Sequence, residues 1–127
     1  MRLFLVRHAE AAPGEPDALR PLTPDGRDAA RALGNQLAAE QPDAVLCSPL
    51  LRARETAEQI ARAASLAAEV DERLAPGATA DDVRAVVAGR GETIVAVAHQ
   101  PDCTEILFAL TGEERGFAPG TSALVEL

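Results

Sequence analysis

The chain contains only two histidines, and each ends an apolar run. Leu5-Val6-Arg7-His8-Ala9-Glu10 passes from aliphatic to charged within one step, and Thr93-Ile94-Val95-Ala96-Val97-Ala98 leads into His99-Gln100-Pro101. Short apolar runs of this kind read as buried strands. The switch in polarity puts Arg7, His8 and His99 at strand C-terminal tips, where open α/β sheets bind ligands. A third run, Ala44-Val45-Leu46-Cys47, leads to Ser48-Pro49 and a helix with Arg52 one turn inside. Two guanidiniums and a helix N-terminus suit a phosphate dianion. A histidine that has given up its proton can then act as nucleophile. Together, Arg7, His8, Arg52 and His99 would line one crevice for phosphoryl chemistry.

The elements that must position these groups alternate along the chain. After a strand over Leu3 to Val6 comes a Pro/Gly-rich acidic loop, roughly Ala9 to Leu22. Thr23-Pro24-Asp25-Gly26 reads as a helix start, with Thr23 as N-cap and proline at the first helical position. Ala30, Leu33, Leu37 and Ala38 share one face of that helix, which Pro42-Asp43 ends. Ser48-Pro49 repeats the cap-then-proline signal after the second strand and opens a helix with Leu51, Ala57, Ile60, Ala61 and Ala64 on its inner face. A weak strand at Ala68-Val70 precedes a Pro76-Gly77 turn. Thr79-Ala80-Asp81-Asp82 resembles a capping box with Asp in place of Glu, opening a helix to about Ala88. The strand before His99, a helix from about Pro101 to Leu110 and a last strand near Ser122–Leu127 complete the order. Such alternation predicts an α/β fold: a largely parallel sheet with helices on both faces, in three α/β/α layers.

Composition narrows the function classes. A length of 127 residues predicts one domain, 1–127, with little room for a separate cap. Aromatics are only 2% of the chain, so the core must be aliphatic. The net charge of −8 argues against nucleic acid or an anionic membrane as partner. Every basic residue is an arginine. Without lysine there is no Schiff base and no P-loop lysine. Cys47 and Cys103 stand without CxxC or metal spacing and read as small buried hydrophobes. No run is long enough to span a membrane, the start lacks a signal peptide's apolar stretch, and a reducing cytoplasm is the expectation. Two histidines this far apart, with no ligand-spaced carboxylates, make a poor metal site, so no metal or other cofactor is expected.

Four stretches in series carry a resemblance. LVRHAE resembles the RHG-type signature of the histidine phosphatase superfamily, the phosphoglycerate-mutase-like fold. LTPDGRDAA (Leu22 to Ala30) is similar to its Leu-Thr-x-x-Gly-Arg helix start, SPLLRARETA (Ser48 to Ala57) to its Ser-x-x-x-Arg-Ala-x-x-Thr-Ala motif, and VAHQP (Val97 to Pro101) to its second-histidine motif. The compact length, alanine after Arg7-His8, and His-Gln-Pro in place of His-Gly resemble the SixA-like phosphohistidine phosphatase branch. The resemblance implies that His8 attacks phosphorus and forms a phosphohistidine intermediate that water hydrolyses. It implies that Arg7 and Arg52 clamp the equatorial oxygens and that His99 donates a hydrogen bond to the same group as an imidazolium. The implied substrate is phosphohistidine on a phosphotransfer protein, in cytoplasmic signalling.

One stretch departs from the pattern. Many superfamily members carry a glutamate general acid after the third strand. Here that segment reads Asp71-Glu72-Arg73-Leu74-Ala75-Pro76-Gly77, and neither of its carboxylates can be placed at the acid position. An alcohol leaving group needs an acid. An imidazole, with a pKa of about 6.5, leaves neutral once its other nitrogen is protonated. The gap therefore favours an N–P bond over a phosphate ester. A small-molecule phosphomonoester phosphatase of the same fold and a non-catalytic phosphate-binding module are the alternatives, the latter disfavoured by the intact Arg7, His8, Arg52 and His99. Ser48 lacks a G-x-S-x-G elbow and reads as an N-cap that orients the site. Thr56 reads as a packing hydroxyl bonded to its own helix. Arg54, Glu10, Glu105 and the acidic Glu15–Asp17 loop read as solvated charge.

Overall fold

The computed structural model describes all residues, 1–127. Strands β1 (Arg2–Arg7), β2 (Ala44–Cys47), β3 (Ala68–Val70), β4 (Thr93–Ala98) and β5 (Ser122–Glu126) form one sheet in the order β3-β2-β4-β1-β5. All pairings are parallel except that of β5 with β1. Helices α1 (Pro24–Ala38), α2 (Leu51–Ala63), α3 (Ala80–Val87) and α4 (Asp102–Thr111) connect them, with short 3-10 turns at Asp17–Leu19 and Glu72–Leu74. No helix is long and apolar enough to cross a membrane.

Side-chain alternation along each strand divides the core in two. Phe4, Val6, Val45, Cys47, Val95 and Val97 point to one face, where Leu33 and Leu37 of α1 and Ala53, Ala57, Ile60 and Ala61 of α2 cover them. Leu3, Leu5, Ala44, Leu46, Ile94 and Ala96 point to the other, under Val83, Val86 and Val87 of α3 and Cys103, Ile106 and Leu107 of α4. This is the period of two expected of strands buried on both faces. The inner face of α2 differs in detail from the sequence reading. Ala53 is fully buried, whereas Leu51 and Ala64 are only partly covered. Cys47 and Cys103 are both fully buried, one in each core layer. Burial pushes their thiols up to about 11 and about 12.

Local chemistry fixes where the helices begin. The Thr23 hydroxyl accepts from the Gly26 N–H at 2.9 Å, with Pro24 behind it. The α3 capping box forms as read, the Asp82 carboxylate taking the Thr79 N–H and the Thr79 hydroxyl taking the Asp82 N–H. Helix α2 starts later than its proline suggests, at Leu51, and its N-cap is Leu50 with no side-chain hydrogen bond. Ser48 is therefore not the cap.

Two glycines set close approaches. A β-carbon at Gly26 would run into the Glu10 carbonyl, so glycine lets the start of α1 lie against the segment leaving β1. At Gly34 a β-carbon would stand 2.8 Å from the Gln59 carbonyl oxygen and 3.2 Å from the Ile60 Cα, both backbone atoms of α2. Alanine favours a helix over glycine by about 1 kcal/mol, but overpacking a tight contact costs roughly 1–3 kcal/mol. Gly34→Ala should therefore lose up to about 2 kcal/mol by urea unfolding, because α1 and α2 must part. Increased stability would contradict this packing.

Candidate active site

Strand register brings the site residues to one level. Arg7 pairs with Ala98, and Val97 stands between Val6 and Cys47. The ladder continues past the strand ends, where the His8 N–H donates to the Ala98 carbonyl (3.2 Å) and the Ser48 N–H to the Val97 carbonyl (3.1 Å). His8, His99 and Ser48 consequently emerge side by side at the C-terminal edge of three adjacent strands. The two imidazoles lie with centroids 5.2 Å apart at 59°.

Each ring has one nitrogen committed. Nδ1 of His8 is 2.7 Å from the Ala9 carbonyl oxygen. A carbonyl only accepts, so Nδ1 carries the hydrogen and Nε2 keeps its lone pair. Burial, opposed by that bond and reinforced by the charges of Arg52, Arg7 and Arg20, holds His8 below its ordinary 6.5. A neutral ring with a free Nε2 is what a phosphoryl-group nucleophile requires. Nε2 of His99 lies 2.7 Å from the Ser48 hydroxyl, while its Nδ1 is buried without a partner. Burial, followed by the charge that His8 carries once protonated and by that of Arg52, pushes His99 down to about 4. This shift favours the neutral ring near pH 7 over the imidazolium that the resemblance implies. The Ser48 oxygen accepts the Leu50 N–H at 3.2 Å, leaving its own hydrogen available to His99 Nε2. With Ser48 donating, neutral His99 carries its hydrogen on Nδ1 and remains a donor.

The guanidiniums are held from outside the crevice. Nη1 of Arg7 donates to the Phe117 carbonyl at 2.8 Å, and its Nε is buried and unpartnered. Arg52 is 8% exposed, and its Nη1 and Nη2 donate to the carbonyl oxygen and carboxylate of Asp17, at 3.0 and 3.2 Å. The other oxygen of that carboxylate takes Nη1 of Arg20 at 3.1 Å, and Arg20 Nε donates to the Ala12 carbonyl at 2.8 Å. The acidic loop, read as solvated charge, thus sends one carboxylate to the site, where Arg20 and Arg52 lower its proton affinity. Thr56 bonds its own helix, donating to the Arg52 carbonyl at 2.8 Å, and also accepts the Ala9 N–H at 3.0 Å. One hydroxyl thereby joins the residue after His8 to the turn that carries Arg52. Arg54, also read as solvated, is half-buried with its Nε unpartnered.

The other carboxylates are occupied elsewhere. Glu10 accepts the Thr23 hydroxyl hydrogen at 2.7 Å, and Asp71 binds the Arg73 N–H and guanidinium. Glu105 is exposed and lines a separate cleft of about 260 Å³ beside Asp102, whose buried carboxylate takes the Gly77 N–H at 2.8 Å. Asp102 and Arg20 were not singled out by their sequence spacing. Arg20 sits in a loop with no periodicity to mark it.

The family model of the histidine phosphatase superfamily (branch 1) matches residues 3–76. The chain belongs to the histidine phosphatase superfamily. A curated relative, phosphohistidine phosphatase SixA of Escherichia coli (strain K12), is 38% identical over 81 residues, 60% of this chain and half of the relative's length. The solved structure of the protein histidine phosphatase SixA complexed with tungstate is 30% identical and superposes with a TM-score of 0.88, covering 100% of this chain and 88% of that one. The α-ribazole phosphatase from Shigella flexneri, 20% identical, has a TM-score of 0.80 over 100% of this chain and 91% of its own. That last likeness is one of fold alone. The histidine phosphatase fold assigned from the four motifs is the fold observed.

Buried neutral His99 ties stability to pH. Unfolded, the ring binds a proton below 6.5; folded, it does so only below about 4. The unfolded state therefore gains stability relative to the folded state as pH falls through this window. Between pH 7 and pH 4.5 this should cost the wild type on the order of 2 kcal/mol that His99→Gln does not lose. Urea unfolding of both proteins at the two pH values measures the difference, and parallel losses would show that His99 titrates normally.

Proposed function

We propose that the chain is a phosphatase with His8 as nucleophile, and that its substrate is phosphohistidine on a phosphotransfer protein. The observation that carries the reading is the neutral His8, its Nδ1 hydrogen committed to Ala9 and its Nε2 free, among the guanidiniums of Arg7 and Arg52. Nε2 attacks phosphorus as the bond to the substrate's imidazole nitrogen breaks. Arg7 and Arg52 hold the equatorial oxygens, where negative charge concentrates in the transition state. The Nδ1 hydrogen of His99, secured by the Ser48 hydroxyl on the far nitrogen, takes a further oxygen. Water then attacks the phosphohistidine, the bond to His8 breaks, and inorganic phosphate leaves with its protons balanced from solvent.

The carboxylates support the choice of leaving group. Asp17 reaches the arginines but is held ionised, so it is a poor proton donor, while Glu10 and Asp71 are engaged elsewhere. An imidazole leaves without an acid once its second nitrogen is protonated, and an alcohol does not. The SixA relatives, named as phosphohistidine phosphatases, support the same substrate class. The alternative, a phosphomonoester phosphatase acting on a small molecule, would need a carboxylic acid at the reacting group. The protein then works in cytoplasmic phosphotransfer signalling, its reaction needing no cofactor.

The test compares a labelled phosphohistidine domain with a panel of sugar phosphates. Wild type should dephosphorylate the domain and act poorly on the esters. His8→Ala should abolish turnover and the acid-labile, base-stable label on the protein; label that persisted would move the nucleophile elsewhere. General acid catalysis is worth roughly 10²–10⁴-fold. Alanine in place of Glu10, Asp71, Glu72 or Glu105 should cost well under about tenfold on the phosphohistidine domain. Brisk ester hydrolysis, with one such variant losing a hundredfold or more, would establish the small-molecule enzyme instead.

A further inference from the structure

Asp17 is an anion already bound where the proposed function needs another. Its carboxylate bridges two guanidiniums, Oδ2 on Arg52 at 3.2 Å and Oδ1 on Arg20 at 3.1 Å. Arg20 belongs to no motif that defines the site, yet its charge is close enough to help lower the proton affinity of His8. The three side chains differ in how firmly they are held. Arg52 is almost wholly buried and keeps a second bond, from Nη1 to the Asp17 backbone carbonyl, that does not depend on the carboxylate. Arg20 likewise keeps its bond from Nε to the Ala12 carbonyl. The Asp17 side chain is 62% exposed and free to turn into water.

We propose that Arg20 is a third guanidinium of the phosphate site, and that Asp17 is a built-in carboxylate occupying Arg20 and Arg52 until an arriving phosphoryl group displaces it. The inference rests on the phosphatase reading. An exposed ion pair in water contributes little. A phosphoryl dianion brings twice the charge and three acceptor oxygens to the same donors. Like charge then drives Asp17 outward, since the phosphoryl oxygens and the carboxylate cannot share Arg52 without repulsion. When the carboxylate turns away, the two backbone carbonyls still orient both guanidiniums. The hydrogens released on Arg52 Nη2 and Arg20 Nη1 become available to the incoming group. Asp17 thus competes with the substrate and the product alike, and keeps two arginines from repelling each other while the site is empty.

Calorimetric titration of wild type, Asp17→Asn, Asp17→Ala and Arg20→Ala with inorganic phosphate, at low salt and pH 7, tests this. Asparagine retains an oxygen acceptor but no charge, so it separates competition from positioning. Both Asp17 variants should bind phosphate about threefold to tenfold more tightly than wild type, and the gain should shrink in concentrated salt, which screens the competing charge. Arg20→Ala should bind it at least threefold more weakly. Unchanged or weaker binding by Asp17→Asn would make Asp17 a positioning residue and overturn the competition. Unchanged binding by Arg20→Ala would remove the third guanidinium. Arg7→Ala is the control for the site itself. If wild type bound no phosphate, or Arg7→Ala bound it equally well, the phosphate-site reading would fail along with the inference.

Discussion

The pairing of β1 with β4 in one register is the constraint on which the site depends. Arg7 faces Ala98, so the next residue of each strand, His8 and His99, leaves the sheet at the same height. A slip of one residue would turn Leu3 and Leu5 to the layer that Phe4 and Val6 now fill, and the two imidazoles would separate. Core and site are therefore specified together. The aliphatic residues that fill two different layers also lock the alignment that brings two remote histidines within 5.2 Å. No histidine needs a special local sequence to be placed; the sheet places it.

Electrostatics explains why two histidines serve better here than two lysines would. The crevice collects guanidiniums that remain charged at any pH the fold meets, so the positive field does not switch off. Against that field a titratable base is driven to its neutral form, and burial adds to the effect for both rings. Neutrality frees a lone pair on His8 and, with Ser48 as the donor to Nε2, leaves a hydrogen on Nδ1 of His99. Two chemically identical side chains acquire opposite capacities because different groups satisfy their outer nitrogens. A backbone acceptor does this for one and a hydroxyl for the other.

The strands and three helix starts were legible in the letters because they depend on near neighbours. Short apolar runs mark the strands, and Thr23 and Thr79 announce the helices they cap. The start of α2 was misread because Ser48-Pro49 has the form of a cap. The serine hydroxyl is instead engaged with a residue 51 positions away, and the helix opens without a side-chain cap. Asp17 looked like surface charge, and by exposure it is; nothing nearby in sequence reveals that its partner is Arg52, 35 positions on. The protonation of His99 was unreadable for a similar reason. It depends on burial, which no residue type encodes. Local signals thus give the elements and the ends of strands, while the contacts that tune the site join segments far apart in the chain.

The two cysteines offer something apart from the chemistry. Cys47 lies beneath α1 and α2, and Cys103 on the opposite side beneath α3 and α4, each with no surface open to water. Neither thiol can be alkylated until the layer over it lifts, so each reports the opening of one half of the molecule. The sheet between them is shared, and whether one layer can loosen while the other stays closed becomes a measurable property. A fold of this kind carries, in two inert sulfur atoms, a record of how its halves cooperate.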